Sequence, residues 1–136
     1  MCQNHIISTA ANLRGIPVAK KYVSISINGR EICPKCEIAD NPFRRFMGLM
    51  FRKTLAQNQA LLLEPCNQIH TFNMRFSIDV VNLSRDNRVI SIFENVVPWR
   101  AKPAVKGGRK VVELNAFEAK KLGISENDVL VFSQTE

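Results

Sequence analysis

The sequence predicts a mostly β domain of the α+β class: a small single-domain barrel or sandwich of short antiparallel strands with two short helices. Three observations lead to this prediction. The chain has 136 residues, 46% of them apolar and 23% charged, as expected for one globular domain with its own core. Apolar and polar residues alternate over several short segments, which is the period of a half-buried strand. Turn-forming residues separate these segments, and only two segments carry helix signals.

The predicted domain begins with a hairpin. Valine and isoleucine alternate with serine through residues 22–27, so this segment is predicted to be a strand. The pair Asn28-Gly29 follows, and because both residues tolerate positive φ it is a strong signal for a two-residue turn. The return strand follows directly. Residues 1–20 show no periodicity and are interpreted as an N-terminal arm, which leaves residues 21–136 as one compact domain.

A first helix is predicted after this hairpin. Asp40 or Asn41 suits the N-cap, because a short polar side chain accepts a hydrogen bond from the first turn. Pro42 suits the first helical position. The helix is predicted to run to about Met50 and to bury one apolar face, formed by Phe43, Phe46, Met47 and Met50.

The remainder of the chain is predicted to form short strands and a second helix. The helix is expected around residues 116–122, with Gly123 in the position that follows a helix C-terminus. The strands are predicted over residues 60–63, 76–83, 88–97, 110–114 and 129–133.

Net charge and hydropathy bear on where the protein is located in the cell and on what it binds. The formal net charge of +7 favours anionic partners such as nucleic acid, phosphorylated ligands or acidic lipid surfaces, but it is also compatible with simple solubility and selects none of these partners. No segment approaches the ~20 apolar residues that cross a bilayer. Residues 1–21 also lack the continuous apolar stretch of a secretory signal. We therefore predict a cytoplasmic protein with no membrane span and with reduced cysteines.

Five sequence blocks recur in order along the chain. The first, at 45–52, has Gly-Leu-Met between two arginines, and the second, at 70–79, begins with His-Thr-Phe and ends with Ile-Asp. The other three are Pro-Trp-Arg at 98–100, Val-Glu-Leu at 112–114 and the segment from Gly-Ile to Asp at 123–128. In this order they resemble the family called domain of unknown function 192, and the resemblance covers roughly residues 33–133.

This resemblance implies a compact β-rich fold and no particular activity, because the family has no established biochemical function. It also implies an association with export for some members and with pilus or secretion machinery for others. Two positions depart from the family pattern. Phe117 stands where a glycine is usual and is expected to fill space that other members leave open. Asn127 replaces a glycine of the last turn, which is expected to form because asparagine tolerates positive φ.

The cysteines offer a possible metal site. Cys33 and Cys36 have Cys-x-x-Cys spacing, and Cys66 with His70 could complete a Cys3His set, which is a known zinc stoichiometry. The alternative is two buried thiols, because Cys36 begins an alternating strand segment. Residues three apart in a strand also point to opposite faces unless a bulge or turn intervenes. No cofactor is expected, and zinc stays open as the alternative.

Cys66 and His70 could instead form a nucleophile and base pair, with Asp79 or Glu113 orienting the imidazole. The alternative is that His70 is a hydrogen-bonded residue that joins a loop to the sheet. Asp79 lies within an apolar strand, so we expect it to accept backbone N–H bonds or to pair with an arginine such as Arg45. Glu113 is expected to face outward or to pair across the sheet.

The loop of residues 97–110, here called the Trp99 loop, is the strongest candidate binding segment. It contains no acidic residue, the only tryptophan, and five basic residues, Arg100, Lys102, Lys106, Arg109 and Lys110. Basic side chains can neutralise phosphates or carboxylates while a tryptophan stacks on a planar group. The alternative is that Trp99 packs on the fold and the charges form a solvated rim.

These features favour a non-enzymatic accessory or binding module. A small anion or an acidic segment of a partner is expected in a cleft between residues 66–74 and the Trp99 loop. The expected ligand-binding residues are His70, Met74, Trp99, Arg100, Lys102, Lys106 and Arg109. Two other functions stay open: a small metal-binding or thiol-dependent enzyme, and weak sequence-neutral binding of nucleic acid.

Overall fold

A computed structural model describes residues 20–135 of the chain. These residues form one seven-stranded sheet and two short helices, which confirms the mostly β prediction. The elements in chain order are β1 (Lys21–Ile27), β2 (Arg30–Ala39), α1 (Pro42–Met47), β3 (Gln59–Leu63), β4 (Ile78–Leu83), β5 (Val89–Val96), β6 (Lys110–Asn115), α2 (Glu118–Lys121) and β7 (Val131–Gln134). The predicted N-terminal arm lies outside the described residues except for Lys20.

The sheet is mixed rather than antiparallel throughout. Its strand order is β5-β4-β6-β3-β2-β1-β7, and β2 pairs with β3 in parallel while the other neighbours are antiparallel. The prediction of antiparallel strands alone was therefore wrong at one pair. Parallel neighbours need a crossover connection, and the segment that contains α1 provides it.

The sheet curls but does not close into a barrel. Its two edge strands, β5 and β7, approach each other at an isolated bridge between Arg88 and Val129. Beside this bridge the N–H of Val89 donates to the carbonyl oxygen of Asp128 at 2.8 Å, and the N–H of Leu130 donates to that of Asn87 at 2.9 Å. The predicted barrel is thus an open curled sheet, and its edge strands are joined at one end by these backbone hydrogen bonds.

Two apolar clusters lie on opposite faces of this sheet, because successive side chains of a strand alternate between faces. Leu62 and Val112 belong to the cluster on the face covered by α2, here called the α2-side core. Leu61 and Val111 belong to the other cluster, the α1-side core. Strands β3, β4 and β6 are buried on both faces, which explains why their sequences are almost continuously apolar.

Helix α1 starts as predicted but ends earlier and faces the other way. The side chain of Asn41 accepts a hydrogen bond from the N–H of Arg44 at 2.8 Å, so Asn41 is the N-cap. The helix ends at Met47 rather than at Met50. The predicted burial of its apolar face was wrong: Phe43 is 61% exposed.

The buried residue of α1 is Arg45, which is 7% exposed. Its Nη1 donates to the carbonyl oxygen of Asp40 at 2.9 Å and to that of Glu64 at 3.4 Å. Hydrogen bonds from a charged donor are stronger than neutral ones, so these contacts turn the arginine inward. The phenylalanine and methionine face is consequently left toward solvent.

None of the helices within residues 20–135 combines the length and the apolar character needed to cross a membrane.

Candidate functional site

The Trp99 loop is bound directly to the segment of residues 66–71 by backbone hydrogen bonds. The N–H of Cys66 donates to the carbonyl oxygen of Arg109 at 2.9 Å, and that of Lys102 donates to Ile69 at 3.1 Å. An isolated bridge also joins His70 to Ala101. Because these backbone groups bond each other, the cleft expected between the two segments is absent, and they form one continuous irregular ribbon.

Thr71 holds the start of the Trp99 loop in place. This residue is fully buried, and its Oγ1 donates to the carbonyl oxygen of Val97 at 2.7 Å. The same oxygen accepts from the N–H of Arg100 at 2.9 Å. The backbone of Thr71 adds two bonds, one to the carbonyl oxygen of Arg100 at 2.7 Å and one from the N–H of Trp99 at 3.0 Å. The backbone around Trp99 is therefore fixed from both sides.

Three rings form a row that we call the aromatic strip: His70, Phe72 and Trp99. The His70 and Phe72 rings stack at 4.9 Å between centroids, and the Phe72 and Trp99 rings are 6.0 Å apart. Trp99 is 60% exposed and has a φ of 65°. A bulky residue rarely adopts positive φ, and such strain concentrates at functional sites. The fold thus keeps a large apolar ring in solvent with a strained backbone.

His70 is held as a neutral ring within this strip. Its Nδ1 accepts a hydrogen bond from the N–H of Phe72 at 3.1 Å, which requires that Nδ1 carries no proton. Partial burial lowers the pKa of His70 below its usual value. This hydrogen bond stays within residues 70–72, whereas the bridge between His70 and Ala101 joins the segment to the Trp99 loop.

The basic residues of the predicted site do not form one cluster of charges around Trp99. Arg100 is exposed next to the ring, and its Nη1 lies 3.3 Å from the carbonyl oxygen of Trp99. The Nζ of Lys102 lies over the Phe93 ring, 5.1 Å from its centroid. Lys106 and Arg109 are exposed farther along the loop.

Met74 is buried and does not belong to this surface. It lines a separate small cavity, of about 20 Å³, behind the His70 segment. Arg45, His70 and Glu113 line the same space, which we call the Arg45–Glu113 cavity. Its volume is sufficient for about one water molecule.

Two residues that line this cavity each have a buried polar atom with no hydrogen-bond partner among the described residues: Nε of Arg45 and Oε2 of Glu113. Glu113 is 3% exposed, and burial raises its pKa to about 8, although the nearby charge of Arg52 opposes the shift. The expectation that Glu113 faces outward or pairs across the sheet was wrong. An acid inside an apolar run indicates burial, but no sequence pattern indicates the incomplete hydrogen bonding.

Asp79 has a different environment. Its Oδ1 accepts from the N–H groups of Asn95 and Phe117, each at 2.9 Å, and its Oδ2 accepts from that of Ala119 at 3.0 Å. The prediction that it accepts backbone N–H bonds is confirmed, whereas the alternative pairing with Arg45 was wrong. These bonds tie β5 and α2 to β4, so the carboxylate is not the partner that orients His70.

The predicted Cys3His metal set is not assembled. Cys33 and Cys36 both lie in the α2-side core, while Cys66 lies in the α1-side core across the sheet. Cys33 and Cys36 share a face because β2 is bulged there: Cys36 pairs with Val23 and Cys33 with Ile25. Within residues 20–135, no three histidine, cysteine or acidic side chains come together in a group able to hold a metal.

The sulfur chemistry also differs from the enzyme alternative. Cys33 and Cys36 are buried free thiols whose pKa values are raised by burial. Cys66 is disulfide-bonded, so in this state it presents no thiolate for His70 to activate, and the expectation that every cysteine is reduced was wrong for this residue.

Comparison with known proteins identifies the family. The profile of domain of unknown function 192 (DUF192), described as an uncharacterized ACR, matches residues 23–132. The chain belongs to this family. The UPF0127 protein PF1050 of Pyrococcus furiosus is 32% identical over 102 residues, which cover 66% of this chain and 85% of that protein.

Two solved structures share the DUF192 fold seen here. A Sinorhizobium meliloti protein, provisionally named a transcription regulator, is 28% identical with a TM-score of 0.72, and the match covers 86% of this chain and 96% of that one. A Novosphingobium aromaticivorans protein of unknown function is 25% identical with a TM-score of 0.72, covering 85% and 89%.

The blocks that carry the DUF192 resemblance converge in space. The first block supplies Arg45, the second supplies His70 and Met74, and the fourth supplies Glu113, and all of them line the Arg45–Glu113 cavity. The Pro-Trp-Arg block places Trp99 in the aromatic strip beside His70. His70 therefore belongs both to the buried cavity and to the exposed strip.

Proposed function

We propose that this protein is a non-enzymatic binding module that recognises an anionic group through the aromatic strip and Arg100. The anion is a small free ion or an acidic segment of a partner protein. The observation that supports this most strongly is the exposed Trp99 ring, which buried Thr71 holds in place on a strained backbone. Among residues 20–135, Phe51 and Phe117 are also exposed with positive φ. The Trp99 ring differs from theirs because it continues a row of aromatic rings beside the exposed Arg100.

The chemistry of the surface fits such a ligand. The guanidinium of Arg100 can bind a carboxylate or phosphate through two parallel hydrogen bonds. The rings of the strip offer an apolar face for the group that carries the anion. The exposed Lys106 and Arg109 add positive charge along the same loop, which attracts anions over a longer range. An acidic segment of pilus or secretion machinery is the first partner to screen, given the associations that the resemblance implies.

Trp99 is the only tryptophan, so its fluorescence reports on this surface directly. We expect a glutamate-rich peptide, or inorganic phosphate, to change that fluorescence saturably. Arg100→Gln should weaken binding about tenfold, which corresponds to about 1.4 kcal/mol. The matched control is Arg85→Gln, because Arg85 is an exposed arginine in the turn between β4 and β5. This variant should bind as the wild type does.

Trp99→Ala removes the reporter, so its binding is measured by anisotropy of a labelled peptide. We expect binding to be lost, while Phe117→Ala should bind normally, because Phe117 is 51% exposed with positive φ but lies outside the strip. Equal losses in the two variants, or in Arg100→Gln and Arg85→Gln, would show that the strip is not the site.

A second candidate is sequence-neutral nucleic-acid binding, favoured by the net charge of +7 and by the provisional name of the Sinorhizobium meliloti relative. Aromatic side chains on a basic surface can stack successive bases. Oligothymidylate distinguishes the two functions. If it binds more tightly than the peptide and its affinity falls steeply with salt, nucleic acid replaces the acidic partner as the ligand.

A further inference from the structure

A second and larger concavity lies beside α1 and adjoins the Arg45–Glu113 cavity, with which it shares Met47, Gly48 and Met50. This α1 cleft has a volume of about 450 Å³, within the range of roughly 300–1,000 Å³ that is typical of small-molecule sites. Its apolar lining comes from β2, β3, α1 and the turn after α1, through Ile38, Ala39, Leu61, Phe43, Met47 and Met50. None of the residues of the aromatic strip lines it.

The wall of this cleft is the helix face that the sequence predicts to be core. Arg45 attaches α1 to the carbonyl oxygens of Asp40 and Glu64, so Phe43 is left 61% exposed and Met47 is half-buried. Methionine side chains adapt to apolar ligands of varied shape. One wall of the cleft is therefore formed by flexible apolar side chains that solvent reaches. A ligand that enters the cleft can cover them.

One end of the cleft is charged. The carboxylate of Glu37, which is 7% exposed, bonds Nη2 of Arg52 at 2.6 Å and Nζ of Lys20 at 3.1 Å. Burial opposes the charge of Glu37, but the hydrogen bonds from Arg52 and Lys20 hold its pKa below the usual value. Two cations around one carboxylate leave one positive charge in excess.

We propose that the α1 cleft binds a small amphipathic molecule that has an apolar chain and a single carboxylate head. The chain lies against Phe43, Met47 and Met50, and the head binds the exposed faces of Lys20 and Arg52. Charge complementarity selects an anionic head, because Glu37 already uses both of its oxygens on these cations. A free molecule is favoured over a membrane surface, since the apolar wall lines a cleft and not a flat face.

This proposal goes beyond the proposed function and shares no residue with it, so either can fail alone. The test uses the full chain and decanoate below its micelle concentration, with binding followed by calorimetry. We expect saturable binding at one site per chain. Decylamine, which has the same chain and a cationic head, should bind at least about tenfold more weakly.

Paired variants locate the site. Phe43→Ala should weaken decanoate binding about tenfold, because the ring loses contact with the chain. Phe51→Ala should not, since Phe51 is 56% exposed but does not line the cleft. Lys20→Gln should likewise weaken binding, whereas Lys21→Gln should not, because Lys21 pairs with Asp40 outside the cleft. The replaced side chains are all more than half exposed, so the variants should unfold near the wild-type midpoint.

Three outcomes would overturn the proposal. The first is equal loss of decanoate binding in each matched pair. The second is decylamine binding as tightly as decanoate. The third is a different occupant of the cleft: a dimer of the chain that decanoate does not dissociate, or capture by anionic phospholipid vesicles that decanoate does not compete away.

Discussion

Two buried carboxylates on neighbouring strands show contrasting chemistry. Asp79 of β4 is paired in register with Leu114 of β6, one position from the pair formed by Val80 and Glu113. Because side chains alternate along a strand, Asp79 faces the α2 side of the sheet and Glu113 the α1 side. Asp79 accepts three backbone N–H bonds, while Glu113 leaves one oxygen unpaired beside a cavity.

This difference in hydrogen bonding gives Asp79 a structural role and leaves Glu113 with an oxygen that can still accept a hydrogen bond. The oxygens of Asp79 are used to attach β5 and α2, so the residue has little capacity for a ligand. Glu113 retains an unpaired oxygen and Arg45 an unpaired Nε, and both residues line a space that fits about one water molecule. Incomplete hydrogen bonding in a buried site, rather than burial alone, distinguishes the residue that can respond to solutes or protons.

The largest expected effect is the loss of Asp79. Asp79→Ala leaves three N–H groups without their acceptor, one in a buried hydrogen bond and two in part-buried ones, and a buried donor left unsatisfied costs roughly 1–3 kcal/mol. We expect the free energy of unfolding, measured with urea, to fall by about 5 kcal/mol. Asp79→Asn should lower the free energy of unfolding by less than Asp79→Ala does, since the amide keeps one acceptor oxygen. If Glu113→Gln costs as much as Asp79→Ala, the contrast between the two carboxylates is wrong.

The next effect is the pH dependence of stability due to Glu113. The unfolded chain releases this proton near the usual pKa of 4.5, whereas the folded chain holds it until about 8. Between these values the unfolded state binds fewer protons, so stability must fall as pH rises. The contribution is on the order of 4 kcal/mol across that window.

Glu113→Gln removes this titration, so the variant should gain stability relative to the wild type as pH increases from 5 to 8. Urea unfolding at several pH values measures the difference. Parallel stability curves for the two proteins would show that Glu113 titrates normally, which its burial makes unexpected.

A smaller effect tests whether Arg45 and Glu113 act as one unit. In a double-mutant cycle, Arg45→Met and Glu113→Gln should show a coupling energy of about 1 kcal/mol, because both residues line one cavity. The matched cycle of Arg45→Met with Asp79→Asn crosses the sheet and should be additive within about 0.5 kcal/mol. Equal coupling in the two cycles would remove the distinction between the two faces.

The smallest expected effect is stabilising and lies beside Asp79. Phe117 donates its N–H to Asp79 from a backbone with a φ of 69°, at the position where the resemblance leads one to expect glycine. Positive φ costs a residue with a side chain roughly 1 kcal/mol. Phe117→Gly should therefore raise the free energy of unfolding by up to about 1 kcal/mol. Ala116→Gly, the control, should lower it.

Sequence reasoning succeeded where the signal is local. The hairpin at Asn28-Gly29 and the Asn41 cap depend on residues adjacent in the chain, and both formed as predicted. The turn at Asn127 also formed, with a φ of 73°. The burial of Asp79 followed from one acid within an apolar run, because such a group needs buried partners.

The errors arose where distant contacts decide the outcome. Helical spacing shows which residues share a face of α1 but not which face is buried, and the carbonyl groups of Asp40 and Glu64 make that choice by binding Arg45. The same limit applies to Glu113. Its position in the strand pattern does not show which groups from distant segments lie near its carboxylate. The cleft beside α1 is the consequence of that inverted helix, so it could not be predicted either.

The strand order has a consequence for synthesis of the chain. Strand β7 pairs with β1, so among the strands of residues 20–135 the last to be made completes the pairing of the first. Until residues 131–134 leave the ribosome, the outer side of β1 carries unpaired backbone groups, which can bind other strands. The nascent chain therefore exposes an adhesive edge at β1 until β7 has been made, and chaperone contact is expected at β1 during that interval.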